Sequence, residues 1–564
     1  MESAADAGHA PGNDSGGGAQ FTTQAALVDT AAWAGRAPVS TKVVCALTAL
    51  MIVAGALRWP LLSASSLDVD ECIHVQIAKE ATCADVWRAS QVRSVFTHPP
   101  LYFLVCHAWR HVARTEAMLR LPSFVFGLAA ILLAFGWVRC IAGTSAAMNA
   151  AIFLAGSWPL IELSAQVRDY TLFLTLAFAA LWVLEWSLAA KSSWGVLIHG
   201  VLLGLSLLTH YSAGWIMFCL GVYVLIETAS GRLPRRLFVT WIAVQLALAI
   251  LSVWLLADQI TGFAASSMGG IVWSAWLSGL PQGTSLTAQV KSLGLAYCRF
   301  LIYIAGPGAA FVPFALAGAV WQVLPTKTAA HRTRTTAGRA ALIALPMIIG
   351  LVLMQMRIYP LTGTRHAIWL IPSIALALGI SMASLANKHA VLRAIVIVVA
   401  ASWFAWFPVA KLRAMQTTST TDTAQRFAQL IHDHVPPGGT LLVDTPYVLD
   451  HYLARDTLNI GRALPNGFTE YDMTGYRVLS IPAILLTQYP LSEHWNEVLE
   501  TIGPASGDGV WLCWTALEPG SAAFDVDQIS RIFPDKIRFQ HWRAGDSHLV
   551  WFLPQIDARN ASPP

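Results

Sequence analysis

The sequence predicts an α-helical polytopic membrane protein of about 11 spans that ends in a small C-terminal extracytoplasmic α/β domain. Three observations predict it. Charged residues are only 12% of the 564 and hydrophobic ones 55%, with a mean hydropathy of +0.55, whereas a soluble protein carries about 25% charge. So few charges cannot cover a water-facing surface of this size, so much of the chain faces lipid. Apolar stretches of span length recur from residue 43 to residue 409, and from about Lys411 the composition turns to ordinary polar content with short alternating runs. The same figures exclude a soluble enzyme, a disordered chain and a collagen-like or coiled-coil rod. The net charge of +4 is scattered, which is no footprint for a nucleic acid partner. Eight cysteines in this length do not make a disulfide scaffold.

Residues 1–41 read as a disordered cytoplasmic tail without the charged, apolar, then small pattern of a signal peptide. The membrane domain covers 42–410. Its first span runs from Val43 to about Leu62, and a long polar loop, 63–117, follows. Within that loop Leu101–Trp109 is apolar, too short to span and preceded by a Pro pair, which predicts a helix lying on the membrane surface. Further spans are expected at 118–138, 144–164, 170–190, 194–211, 212–229, 236–258, 292–323, 340–356, 366–385 and 390–409. Lys and Arg gather in alternate connections, at Arg139, Lys191, Arg232 to Arg236, Lys327 to Arg339 and Lys388 with Arg393. Those connections therefore face the cytoplasm of a cytoplasmic (inner) membrane protein. The N-terminus is then cytoplasmic, and the 63–117 loop and the 411–564 domain are extracytoplasmic. In the latter, "GTLLVDTPYVLDHYLARDT" reads as a strand and a helix, and "GVWLCWTAL" and "SHLVWFLPQ" as strands. No internal repeat is visible, which argues against a repeat-built transporter.

Ionisable groups at membrane depth cost roughly 2.5–3.5 kcal/mol each to insert, so those at span ends carry information. Asp68, Asp70 and Glu71 follow the first span, with His74 four positions beyond Asp70, on the same helix face. The loop continues through His98, Pro99, Pro100 and Tyr102. Arg168-Asp169-Tyr170 falls at the outer mouth between the third and fourth spans, His210-Tyr211 at a turn between two spans, and Arg357, Tyr359, Arg365 and His366 between two late ones. Each group has a plainer reading. Acids solvate a loop, Arg and Tyr anchor at headgroup level, and a His beside a Tyr is interfacial. Yet two arginines on the outer side oppose the positive-inside trend, and an anionic phosphate supplies a reason, because Arg forks onto phosphate oxygens. Carboxylates, His and Arg at one outer level suit a reaction on a lipid-linked phosphate. A carboxylate takes a proton from an acceptor hydroxyl, and cations stabilise the departing phosphate.

The same stretches carry a family resemblance. Asp70-Glu71, His98-Pro99-Pro100-Leu101-Tyr102, Leu119-Arg120-Leu121-Pro122-Ser123, Arg168-Asp169-Tyr170, His210-Tyr211 and Arg365-His366 stand in that order. Together they resemble the membrane glycosyltransferases of the GT-C fold. The likeness is greatest to family 39, which holds the protein O-mannosyltransferases and the lipid A aminoarabinose transferase. The resemblance covers most of 43–385, leaving the tail and the C-terminal domain unmatched. It implies transfer of a hexosyl or pentosyl group, with inversion, from a polyprenyl-phosphate donor to a hydroxyl of a protein, lipid or polysaccharide outside the membrane. It implies Asp70 as general base with Glu71 as its companion. It puts Arg365, Arg168 and His210 on the donor phosphate, with Arg120 a weaker candidate, and His98, Tyr102, Asp169 and His366 around the substrate. Some relatives hold a divalent metal through a second acid near Asp169. Here Arg168 adjoins that position, so a metal is left open.

The absence of a Gly-rich nucleotide loop agrees with a lipid-linked donor. A transporter or flippase of a lipid-linked sugar is the rival, and would put polar or broken helices near the bilayer midplane. An O-antigen ligase or polymerase would carry its long loop late in the chain. Cys72 and Cys83 share the outer loop, where an oxidising compartment permits a disulfide; two free thiols are the alternative. Trp511 and Trp514 either stack on sugar or fill a core.

Overall fold

The computed structural model describes residues 39–64, 66–92, 98–264, 285–306, 309, 311–323, 333–356, 358–359, 365–388, 391, 394, 406–417, 423–444, 446–453, 462–464, 469–473, 475–481, 510–514, 537–544 and 547–554. Helix α1 (Thr41–Arg58) carries no charged residue between Lys42 and Arg58. It ends where Trp59-Pro60 tightens the chain into a 3-10 turn, Trp59–Ser63. The outer loop then forms three short helices, α2 (Val69–Ala78), α3 (Cys83–Val92) and α4 (Leu101–Trp109). The helix expected over Leu101–Trp109 is thus present with those bounds. Its first N–H donates to the Leu208 carbonyl at 2.9 Å.

The bundle continues with α5 (Glu116–Ala142), α6 (Thr144–Gly156), α7 (Trp158–Leu163), α8 (Tyr170–Ala190), α9 (Ser193–Leu207) and α10 (Ala213–Ala229). It is completed by α11 (Arg235–Ala264), α12 (Leu286–Ala305), α13 (Phe311–Val323), α14 (Thr333–Gln355) and α15 (Ile371–Lys388). Two prolines inside helices free a carbonyl each, since proline has no N–H to give the residue four back. Pro122 frees that of Met118, which the Trp109 indole takes at 2.6 Å. Pro346 frees that of Leu342, which the Ser373 hydroxyl takes at 3.0 Å. Small residues let helices close on one another. Ala146, Ala147, Ala150 and Ala151 of α6 are buried, and a Cβ on Gly379 of α15 would stand 2.5 Å from the Ala146 carbonyl oxygen.

Among the described residues, six helical stretches are long and apolar enough to cross a bilayer: Thr41–Ser63, Glu116–Ala142, Tyr170–Ala190, Arg235–Leu255, Ala337–Gln355 and Arg365–Ala386. Thr144–Gly156, Ser193–Leu207, Ala213–Ala229 and Phe311–Trp321 are apolar but shorter. These six long helices do not by themselves make up the expected number of about eleven spans. The span expected over 292–323 is two helices, because Gly306 at φ +53° turns the chain out of α12. The span expected over 144–164 is also two, because Ser157 is extended at ψ 117° and Pro159 opens a new helix. The one expected at 390–409 lies almost wholly outside the described residues.

After α16 (Phe407–Thr417) and α17 (Thr423–His434) comes a seven-stranded sheet in the order β2-β3-β4-β1-β5-β7-β6. Its strands are β1 (Thr440–Val443), β2 (Arg462–Ala463), β3 (Thr469–Met473), β4 (Tyr476–Ser480), β5 (Val510–Trp514), β6 (Ile537–Ala544) and β7 (Ser547–Pro554). β1 runs parallel to β4 and β5, pairing Leu441 with Val478 and Trp511; the other pairs are antiparallel. Helix α18 (Pro446–Leu453) follows β1, so the expected strand–helix unit and both later strands are present. Trp511 stacks on Trp542 at 5.5 Å, and Trp511 and Trp514 are buried; they are core side chains. All eight cysteines are free, with Cys72 buried and Cys83 exposed, so no bridge closes the outer loop.

Candidate active site

The site is built around a buried ion pair. Asp68 caps α2 through a reciprocal box, in which its Oδ1 accepts from the Glu71 N–H at 2.7 Å and Glu71 Oε2 accepts from the Asp68 N–H at 3.0 Å. Arg120 of α5 forks onto Glu71 at 2.8 and 2.7 Å, and its remaining donors go to the carbonyls of Leu62 and Ser66 at 2.9 and 3.0 Å. The Val167 N–H reaches Glu71 Oε1 at 2.8 Å. Glu71 is 2% exposed, and both its oxygens are fully engaged. Burial raises its pKa, and the Arg120 guanidinium opposes that rise. Expected beside Asp70 as a catalytic companion, Glu71 instead faces inward and ties together α2, α5 and the chain before Arg168. Arg120, the weaker phosphate candidate, is committed to the same pair.

That pairing turns Asp70 toward the mouth, where two cations meet it. Arg168 Nη1 stands 2.6 Å from Asp70 Oδ2, and Arg365 Nη2 contacts the same oxygen. The Arg168 contact is close but not aligned as a hydrogen bond, so it is chiefly Coulombic, and Arg168 Nε and Nη1 are buried without hydrogen-bond partners. Asp70 is 16% exposed, Arg168 2% and Arg365 34%. The backbone of Arg168 is held from behind. Ser123 Oγ donates to its carbonyl at 3.0 Å. That leaves Tyr102 OH to donate to Ser123 Oγ. Tyr102 is fully buried and so supports Arg168 from below the mouth.

On the other side of Asp70 the histidines gather. His74 Nδ1–H donates to the Asp70 carbonyl at 2.7 Å, and its ring stacks on Phe103 at 4.6 Å. His98 Nδ1 lies 3.5 Å from Asp169 Oδ2. Burial would raise the Asp169 carboxyl, but His98, and then His210 and His74, hold it well below the usual carboxylate range. His210, in the turn between α9 and α10, accepts the Ser212 N–H on Nδ1 at 3.1 Å and lies 5.3 Å from the rings of Tyr170 and Phe173. Burial lowers His74 to about 3 and His210 to about 4.

These shifts set a pH dependence. An unfolded imidazole titrates near 6.5, so below that pH the unfolded chain binds protons that folded His74 and His210 refuse. Their contribution is intact above about pH 6.5 and is lost as the pH falls toward about 4. Asp169, also depressed, adds a loss in the same direction below about pH 4. The melting temperature of the purified protein is expected to hold above about pH 6.5 and to decline steadily below it. A flat profile between those limits would show that neither imidazole is shielded.

Arg365 and His366 open a 3-10 turn, Arg365–Leu370. Tyr359 OH donates to the His366 carbonyl at 2.9 Å and accepts from Ser212 Oγ at 2.7 Å, which joins this segment to the His210 turn. Arg357 lies outside the described residues. Asp70, Arg168 and Arg365 thus meet directly, with Asp169, His98 and His210 beside them. Sequence reasoning missed Glu162 of α7 and Tyr303 of α12, both within electrostatic reach of Arg365. Glu162 carried a signal, as an acid within an expected span.

It also missed Tyr452. This residue of α18 accepts the Leu67 N–H at 2.9 Å and donates to Glu116 Oε1 at 3.0 Å. It fastens the C-terminal domain to the start of both α2 and α5. Each lost hydrogen bond costs about 0.5–1.5 kcal/mol, so Tyr452→Phe is expected to destabilise by about 1–3 kcal/mol. A thermal melt indistinguishable from the parent protein would remove Tyr452 from this role.

Among the described residues, no three His, Cys, Asp or Glu side chains converge to hold a metal ion. At the mouth Asp70 Oδ2 is contacted by two guanidiniums.

Residues 97–256 match the family described as dolichyl-phosphate-mannose-protein mannosyltransferase. No curated protein sequence matches the chain significantly. Among solved structures the chain is similar to ArnT from Cupriavidus metallidurans in the apo state, at 15% identity and a TM-score of 0.52, over 90% of this chain and 97% of that one. It is similar to the same protein bound to undecaprenyl phosphate, at 14% identity and 0.52, over 92% and 99%. It is also similar to the oligosaccharyltransferase AglB from Archaeoglobus fulgidus in complex with an inhibitory peptide and a dolichol-phosphate, at 11% identity and 0.51, over 84% and 69%. At such identities the structural likeness shows the fold, and the family pattern comes from the sequence match. Over most of its length the chain thus has the GT-C fold of these membrane proteins, and over residues 97–256 it carries the sequence pattern of the mannosyltransferase family.

Proposed function

We propose that this chain moves a hexosyl or pentosyl group from a polyprenyl-phosphate donor to a hydroxyl acceptor at the extracytoplasmic face of the cytoplasmic membrane. The observation that carries the reading is Asp70 set between Arg168 and Arg365 at the mouth of the bundle. Similar structures that hold undecaprenyl phosphate or dolichol-phosphate support a donor of that class. The acceptor is a protein, lipid or polysaccharide hydroxyl.

The reaction is a single inverting displacement. Asp70 takes the acceptor proton while the acceptor oxygen attacks the anomeric carbon. Arg365 and Arg168 stabilise the charge that develops on the departing phosphate. His98 and Asp169 position the acceptor side, and His210 and His366 line the donor side. Glu71 acts through Arg120 and α2 as a positioning residue. Purified protein in proteoliposomes, given a labelled polyprenyl-phosphate sugar and cell-envelope acceptor, is expected to release the label from the lipid. A strain lacking the protein is expected to accumulate one polyprenyl-phosphate sugar.

The flippase reading predicts lipid-linked sugar crossing the bilayer intact. The broken helices it calls for are present, at Ser157 and Gly306. The first break is closed, because Ser157 Oγ donates to the Ile304 carbonyl at 3.1 Å. Labelled lipid that crosses without losing its sugar would decide for transport.

A further inference from the structure

The proposed base and the proposed phosphate ligands are each other's partners in this structure. Arg168 and Arg365 both contact one oxygen of Asp70. A carboxylate with two guanidiniums on one oxygen is held in its charged form and is a weaker proton acceptor, and guanidiniums held by a carboxylate are partly spent. Yet Arg168 keeps two buried N–H groups without hydrogen-bond partners, and Arg365 is one-third exposed. The cluster therefore holds one guanidinium that a ligand can reach, Arg365, and one with unspent hydrogen-bonding capacity, Arg168.

We propose that the donor phosphate replaces Asp70 as the ligand of Arg168 and Arg365, so that donor binding itself releases the base and the donor is the obligatory first substrate. This rests on the reading of the site given above. The exchange needs only side-chain torsions. The Asp70 backbone is fixed by the α2 cap and by His74 on its carbonyl, and the Arg168 backbone by Ser123.

Charge follows the same path. Two guanidiniums and one carboxylate sum to +1 at rest, and a phosphodiester donor brings the sum to zero. In transfer the acceptor O–H bond breaks and its proton goes to Asp70. The acceptor oxygen bonds to the anomeric carbon. The bond from that carbon to the phosphate oxygen breaks, and its electron pair stays on the phosphate. Asp70 loses a negative charge as the phosphate gains one, so the sum stays at zero. A partly desolvated cluster that keeps its net charge never holds an uncompensated ion.

The test measures binding of undecaprenyl phosphate to purified protein in lipid nanodiscs, for the parent, Asp70→Asn and Asp70→Ser, each with an unchanged thermal melt. Removing the internal competitor is expected to tighten binding about tenfold, or about 1.4 kcal/mol, in both variants, while Arg365→Ala weakens it. If the parent binds and both Asp70 variants bind equally or more weakly, Asp70 is no competitor and the inference fails, with the glycosyl-transfer reading left standing. If neither the parent nor any variant binds the lipid phosphate, the donor assignment itself falls, and the inference with it.

Discussion

Asp70→Asn is expected to lower glycosyl transfer by about 10²–10⁴-fold, the range for loss of a positioned general base, with membrane insertion unchanged. The amide keeps the shape of the carboxylate, but it has no negative charge to hold the arginines and no basic lone pair for the acceptor proton. The cap of α2 and the backbone contacts of Asp70 do not involve its own carboxylate, so α2 keeps its place, while the buried Arg168 loses the charge of its partner. The measurement is release of label from a polyprenyl-phosphate sugar by parent and variant membranes at matched protein level. Transfer at the parental rate would end the assignment of Asp70 as the base.

Arg120→Ala is expected to act on stability. It removes two hydrogen bonds to Glu71 and leaves that carboxylate 2% exposed without its counter-ion, while the carbonyls of Leu62 and Ser66 lose their donor. Breaking one side of a buried pair costs about 3–5 kcal/mol, a large part of a folded protein's margin of about 5–15 kcal/mol. Activity should fall with it, because α2 carries Asp70. Replacing both partners, with Glu71→Gln and Arg120→Met, should recover part of the loss, since no lone buried charge remains. A melt for Arg120→Ala close to the parent's would mean the pair contributes little.

Much of this was legible in the sequence. Hydropathy located the helices, the short Leu101–Trp109 run marked a helix too short to span, and the strand–helix unit after Lys411 follows its alternation. The outer cluster was legible because charged residues at span ends stand out against an apolar background. Which acid faces the mouth was not. Neighbouring residues on a helix point about 100° apart, so Asp70 and Glu71 could not both line the site. The choice was made by Arg120, forty-nine positions away. Hydropathy is equally blind to the turn at Gly306 and the extended Ser157, which split two apolar runs without changing their composition. Tyr452 lies 336 positions from Glu116, and no local pattern announces such a contact.

One buried charge bears on how the chain is made. Arg58 closes the first transmembrane helix, wholly buried, and its guanidinium donates to the carbonyls of Ala54, Leu154 and Ala155 and to Ser164 Oγ. Apart from Ala54, those acceptors are synthesised about a hundred residues later, at separations of 96, 97 and 106. A newly inserted first helix therefore carries a cation with most of its ligands not yet translated. The bundle has an order of construction written into it: α1 takes its final seat only when the C-terminal end of α6 and the turn after α7 arrive. The loop bearing Asp70, strung between α1 and α5, becomes a working site only after that late closure.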